Sequence, residues 1–251
     1  NVDYLENRNN IYLADIFNNV SEKFINTIIE NGIKIEGLCT LEEGLKNGIK
    51  MITVRDVVRR QKLSRVKIIV PYDNNYIKQV RTLAEQGVDE CEIAILVNSK
   101  LHLISIDKTL MRDIKKKEYN RTVTFNRFNA ADSNIDALLK FMPDEYKHKC
   151  KVNVIKGEDV WSIENIVKVP LHSLVTVSGF ATFLYHYPKF TYNIDVGHGG
   201  VPLKACGIMD KKDKKSGGYP EIFEKADIIC VASHLHMIVY SSFYGIPEDK
   251  Y

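Results

Sequence analysis

No stretch of the 251 residues approaches the ~20 consecutive apolar residues that a membrane-spanning helix needs. The chain also opens without a basic-then-apolar leader. No CxxC pair occurs among Cys39, Cys91, Cys150, Cys206 and Cys230. An odd number of scattered cysteines reads as reduced, mostly buried thiols, hence a cytosolic protein. Charge of one sign is lacking too: 35 basic against 32 acidic residues leave +3, so no global field draws nucleic acid. Internal repeats and low-complexity tracts are absent. What remains is ordinary globular composition, 45% hydrophobic and 27% charged, long enough for one large domain or two modest ones.

Basic residues cluster locally at Arg59, Arg60 and Lys62, at Lys115, Lys116 and Lys117, and at Lys211, Lys212, Lys214 and Lys215. Each cluster reads as a solvated face or as contact with an anionic membrane surface or polyanionic substrate.

Apolar runs alternate with amphipathic stretches along residues 11–105. Strands are expected over 11–14, 33–39, 49–54, 66–70 and 91–97, and helices over 21–31 and 77–86. Such alternation predicts a parallel sheet with helices on its faces. A dinucleotide-binding sheet carries a glycine-rich turn after its first strand. Here that turn reads Ala14-Asp15-Ile16-Phe17-Asn18-Asn19. Without glycines it does not suit pyrophosphate, and a structural or docking role is expected for this module.

Residues 106–125 read as a polar, basic linker. A second unit follows over 126–251. Its expected strands are 122–125, 151–155, 174–178, 192–196 and 227–232, with helices over 134–141 (capped by Ser133), 180–187 and 235–244.

The strand over 192–196 runs into Asp195-Val196-Gly197-His198-Gly199-Gly200-Val201-Pro202-Leu203-Lys204. Glycines let a substrate approach the backbone closely. An imidazole there takes a proton near neutral pH, and Lys204 can face a phosphate. Loops at the carboxyl ends of parallel strands form the binding rim of such sheets. Three of them here are Ser178-Gly179, Gly197-His198-Gly199-Gly200 and Ser233-His234. Helix N-termini after them offer free N–H groups to an anion. The pattern predicts transfer of a phosphate-bearing group to a hydroxyl. His198 is then the base, Gly199, Gly200, Lys204, Ser178, Ser233 and His234 the substrate and phosphate contacts, and Asp195 the residue orienting His198.

Residues 174–251 resemble the start of the catalytic domain of the CDP-glycerol:poly(glycerophosphate) glycerophosphotransferase family, the teichoic-acid and capsule polymerases. That family carries a strand followed by Trp-His-Gly-Thr-Pro-Leu-Lys. Here Gly197 stands for the Trp, and one extra residue precedes Pro202. The resemblance implies a Rossmann-like parallel-sheet module followed by the N-terminal, acceptor-side lobe of a glycosyltransferase-B fold. It implies a CDP-glycerol or CDP-ribitol donor and no certain cofactor, and no residue is assigned to a metal. The acceptor would be a polyol-phosphate or capsular polymer, lipid-linked or free. Work at the inner face of the cell membrane, with peripheral membrane contact and no nucleic acid, follows. The family's second lobe, with its Gly-x-Pro-Arg-x-Asp turn and later donor-binding residues, does not occur before Tyr251. The expectation is therefore a fragment that is inactive alone.

Three other readings stay open. Gly197-His198-Gly199 with Ser233-His234-Leu235-His236 resembles part of a metallophosphoesterase, but the Asp-x-His and Gly-Asn-His-Asp/Glu partners are missing. Ser233-His234-Leu235-His236 before Gly245-Ile246-Pro247 resembles a polysaccharide pyruvyl or glycosyl transferase, without its Arg. A non-catalytic docking module is the third.

Overall fold

The computed structural model describes residues 10–63, 66–127, 133–179, 191–197, 226–244 and 246–251. The chain is α/β and divides into two compact units, Asn1–Lys117 and Glu118–Tyr251.

In the first unit the elements run β1 (Ile11–Ala14), α1 (Glu22–Glu30), β2 (Gly37–Thr40), β3 (Gly44–Lys46), β4 (Ile49–Thr53), α2 (Val54–Leu63), β5 (Lys67–Pro71), α3 (Tyr76–Glu85), β6 (Cys91–Val97), β7 (Lys100–Ile106) and α4 (Lys108–Lys115). The sheet order is β3-β4-β2-β1-β5-β6-β7. Its five inner strands are parallel, while β3 and β7 pair antiparallel at the two edges. The parallel sheet expected for this module is present in the five inner strands, and an antiparallel strand is added at each edge. Two-residue turns cause these reversals. Asn47-Gly48 and Asn98-Ser99 all have positive φ, the geometry that folds a strand tightly back on its neighbour.

The central strands β1, β2 and β5 are buried at every position, as strands covered on both faces must be. Helix α1 starts where the Ser21 hydroxyl accepts from the Phe24 N–H. It lays Ile25 and Ile28 on Ile11, Leu13, Leu38 and Ile69. Each such side chain contributes about 1.5–3 kcal/mol by leaving water. Strand β2 begins at Gly37 rather than at residue 33. A Cβ on Gly37 would sit 2.6 Å from the Lys50 carbonyl oxygen, so only glycine lets β4 approach this closely.

Residues 106–125, expected as a linker, contain α4, a 3-10 turn over Glu118–Arg121 and the opening of β8. Asp107 caps α4 by accepting from Leu110 N–H.

The second unit runs β8 (Thr122–Arg127), α5 (Ser133–Phe141), α6 (Asp144–Lys149), β9 (Lys151–Lys156), α7 (Ile163–His172), β10 (Val175–Ser178), β11 (Tyr192–Asp195), β12 (Ile228–Ile229) and α8 (His234–Tyr244). Its sheet is parallel throughout, in the order β12-β11-β10-β8-β9. Strand order reverses at β8, with β9 on one side and β10 on the other. The helix expected over 180–187 lies outside the described residues.

The two faces of this sheet differ in chemistry. Phe125, Val177 and Ile194 share one register row and face Ile135, Leu139 and Met142 around α5. Asn153, Thr124, Thr176 and Asn193 occupy the next row, which alternation puts on the opposite face. These polar groups satisfy one another. Asn153 Nδ2 donates to Thr124 Oγ1 at 3.1 Å, Thr124 shares a hydrogen bond with Ser173, and Thr176 Oγ1 donates to Asn193 Oδ1.

Candidate functional site

Ligands of open α/β sheets sit beyond the carboxyl ends of the strands, where the order reverses. In the second unit that position lies between β8 and β10. Asn126, Ser178 and Asp195 form the last row there, on three adjacent strands. Asn126 Nδ2 donates to Ser178 Oγ at 3.0 Å, and both residues are fully buried. Ser178 is therefore engaged inside the sheet's end, with its carbonyl accepting from Val196 N–H at 2.9 Å.

Asp195 closes β11 and is only 2% exposed. Burial pushes its carboxyl up to about 7, against the opposing pull of the Gly197 N–H, which donates to Oδ1 at 2.9 Å. Asp195 thus fixes the turn that leads towards residue 198 through the backbone of Gly197. Gly197 has φ +62°, a conformation in which a side chain would be strained. A second tether comes from Asn134 in α5. Its Nδ2 donates to the carbonyls of Val196 at 2.9 Å and Gly197 at 3.1 Å. The Asp195 carbonyl accepts from Cys230 N–H, which ties β12 to the same turn. Burial, then the Asp195 charge, raises the Cys230 thiol.

Ser233 and His234 are exposed at the start of α8. Ser233 Oγ accepts from His236 N–H at 3.1 Å, so its hydroxyl works as a helix cap. His198, Gly199, Gly200 and Lys204 lie outside the described residues. Of the residues singled out from sequence, the structure brings Ser178 and Asp195 side by side and places Ser233 and His234 on the loop and helix after β12.

Three residues here were missed by sequence reasoning as site residues: Asn126, Asn134 and Tyr240. The signal for the first two was an Asn at a strand end and another at a helix start, places where short amides bond to backbone. His236 is nine-tenths buried, packed edge-on against Tyr240 with ring centres 4.4 Å apart. A Cβ built on Gly197 would lie 3.9 Å from Tyr240 Oη, so this pair adjoins the turn after β11.

Between α5 and the apolar sheet face lies a cavity of about 670 Å³. Phe125, Leu138, Phe141, Met142, Val177 and Ile194 line it, and Asn134 and Cys230 stand at its edge. Its size falls in the range of small-molecule sites.

The corresponding reversal in the first unit lies between β1 and β5, and it is acidic. Asp15 is buried, accepts from Val20 N–H and pairs with Lys46 Nζ at 2.6 Å. Asn19 Nδ2 donates to Asp73 at 2.8 Å, and burial holds the Asp73 carboxyl above its usual range. Carboxylates occupy the place where a pyrophosphate-binding turn would offer bare N–H groups.

Among the described residues no three His, Cys, Asp or Glu side chains gather as a metal would require. Among the same residues no helix is long and apolar enough to cross a membrane. No protein-family model matches the chain, and no curated protein matches it significantly.

Proposed function

We propose that the second unit is the acceptor-side lobe of a glycosyltransferase-B enzyme that transfers a polyol phosphate from a CDP-activated donor to a polymer hydroxyl. Glycerol phosphate is the preferred group, and a teichoic-acid or capsular chain the acceptor. The acceptor oxygen attacks the β-phosphorus of CDP-glycerol, the bond from that phosphorus to the bridging oxygen breaks, and CMP departs. His198 takes the proton from the attacking hydroxyl. Holding the two reactants in line supplies much of the rate. Gly199, Gly200, Lys204 and His234 are the proposed phosphate contacts; Ser178 and Ser233 serve by setting the backbone around them. The work is proposed to take place on the cytoplasmic face of the membrane.

One observation carries this reading. The strand that leads to Gly197-His198-Gly199-Gly200 ends on the rim beside the order reversal, and its turn is tied down from Asp195 and from Asn134. A group whose position must be set to a fraction of an ångström needs such anchoring.

The test is release of CMP from CDP-glycerol by the full-length protein in the presence of a phosphopolymer primer. His198→Ala is expected to abolish release with little loss of thermal stability. Retained activity in that variant removes His198 from the mechanism. Release from CDP-ribitol but not from CDP-glycerol keeps the reaction class and changes the donor.

A further inference from the structure

The Ala232 main-chain N–H donates to His236 Nδ1 at 3.3 Å. A neutral imidazole that accepts at Nδ1 carries its proton on Nε2. That Nε2–H is buried and has no hydrogen-bond partner among the described residues. The bond to Ala232 folds the ring back over the N-terminal end of α8. The Ser233 cap occupies the N–H of His236, and the N–H groups of His234 and Leu235, the first two of the helix, have no carbonyl partner within it. Tyr240 backs the imidazole, and its hydroxyl lies beside Gly197 in the turn after β11.

We propose that the first turn of α8 is an oxyanion subsite that takes a phosphate group, with His236 Nε2–H as its side-chain donor. An unpaired buried donor is costly unless a ligand completes it. A helix N-terminus favours negative charge through its free N–H groups and its dipole. The tautomer leaves Nε2 no lone pair, so His236 binds and does not act as a second base. Resting on the transferase reading above, the phosphate is that of the acceptor terminus, next to the attacking hydroxyl.

The test uses the full chain labelled with 15N-histidine, titrated with inorganic phosphate, sn-glycerol 3-phosphate and glycerol. Both phosphates are expected to move the His236 Nε2 resonance, and glycerol is not. His236→Asn keeps an acceptor for Ala232 N–H but removes the Nε2 donor, and is expected to weaken phosphate binding about tenfold. His236→Gln, which restores an N–H near the Nε2 position, is expected to recover most of it. A resonance unmoved by both phosphates, or wild-type phosphate affinity in His236→Asn, overturns the subsite. CMP release separates this from the parent reading. Release alongside a silent His236 removes the subsite and leaves the transferase. Phosphate binding at His236 in a protein that never releases CMP keeps the subsite and ends the transferase.

Discussion

Asn134 holds Gly197 from across the second unit: its Nδ2 donates at once to the Gly197 carbonyl, 3.1 Å away, and to that of Val196. Sixty-three positions separate the two residues in sequence. The contact joins the start of α5 to the turn that precedes residue 198. Asn134→Ala is expected to cut CMP release about tenfold, because a loosened turn misplaces the base. Its thermal midpoint is expected to stay close to that of the wild type, since Asn134 is exposed. Steady-state rates together with a melting curve check both halves.

Asp195 makes the second unit less stable as pH rises. Its folded value, about 7, lies above the ordinary carboxylate value, so the folded state binds the proton more tightly. Between pH ~4 and ~7 the unfolded chain releases this proton before the native state does, and stability falls across that window. Above ~7 the loss is complete, on the order of a few kcal/mol. Asp195→Asn keeps an acceptor for Gly197 N–H and has nothing to titrate. It is expected to gain on the wild type steadily from pH 5 to pH 7.5, read as denaturant midpoints at each pH.

Lys46 neutralises a carboxylate that has no access to water. Asp15 is fully buried at its side chain and Lys46 reaches it at 2.6 Å. Lys46→Met is expected to destabilise the first unit by about 3–5 kcal/mol, the cost of leaving a buried charge unpaired. Asp15→Asn combined with Lys46→Met is expected to recover much of that loss. Chemical denaturation of the two variants checks the difference. A double variant no better than the single would mean that the charge is not what matters.

Cys39 and Cys91 are buried, and desolvation drives both thiols far up, Cys39 to about 12. Thiolate is the reactive form, so neither is expected to react with a thiol reagent at pH 8 while the protein is folded. Cys150, half-buried, and Cys230, exposed, are expected to be modified first. Peptide mass mapping of the labelled chain before and after addition of denaturant reads the order.

The strands richest in apolar residues were legible at once, because 11–14, 66–70 and 91–97 are interrupted by no more than one charge each, Lys67 and Glu92. The edge strands were not. Asn47-Gly48 is a strong hairpin signal, but the three-residue strand before it, Gly44–Lys46, is too short and too exposed to announce itself. Asn98-Ser99 makes the same turn without a glycine, so β7 left no mark. The parallel core of the second sheet was read correctly although one of its two faces carries Thr124, Thr176, Asn193 and Asn153. At the rim, Asp195 stood out because it ends a strand three residues before His198. Asn126 did not, since only folding brings its partner Ser178 within reach of it.

The hydroxyl and amide ladder through Asn153, Thr124, Thr176 and Asn193 acts as a ratchet for the second sheet. Oily strands can slide past one another at modest cost, but here a slip of one position would drive four polar groups into the hydrocarbon beneath α5. The height of Asp195 relative to Ser178 is therefore dictated one rung below, where Thr176 clasps Asn193. Replacing that threonine by the equally shaped valine would cost this unit its alignment before it cost it its volume.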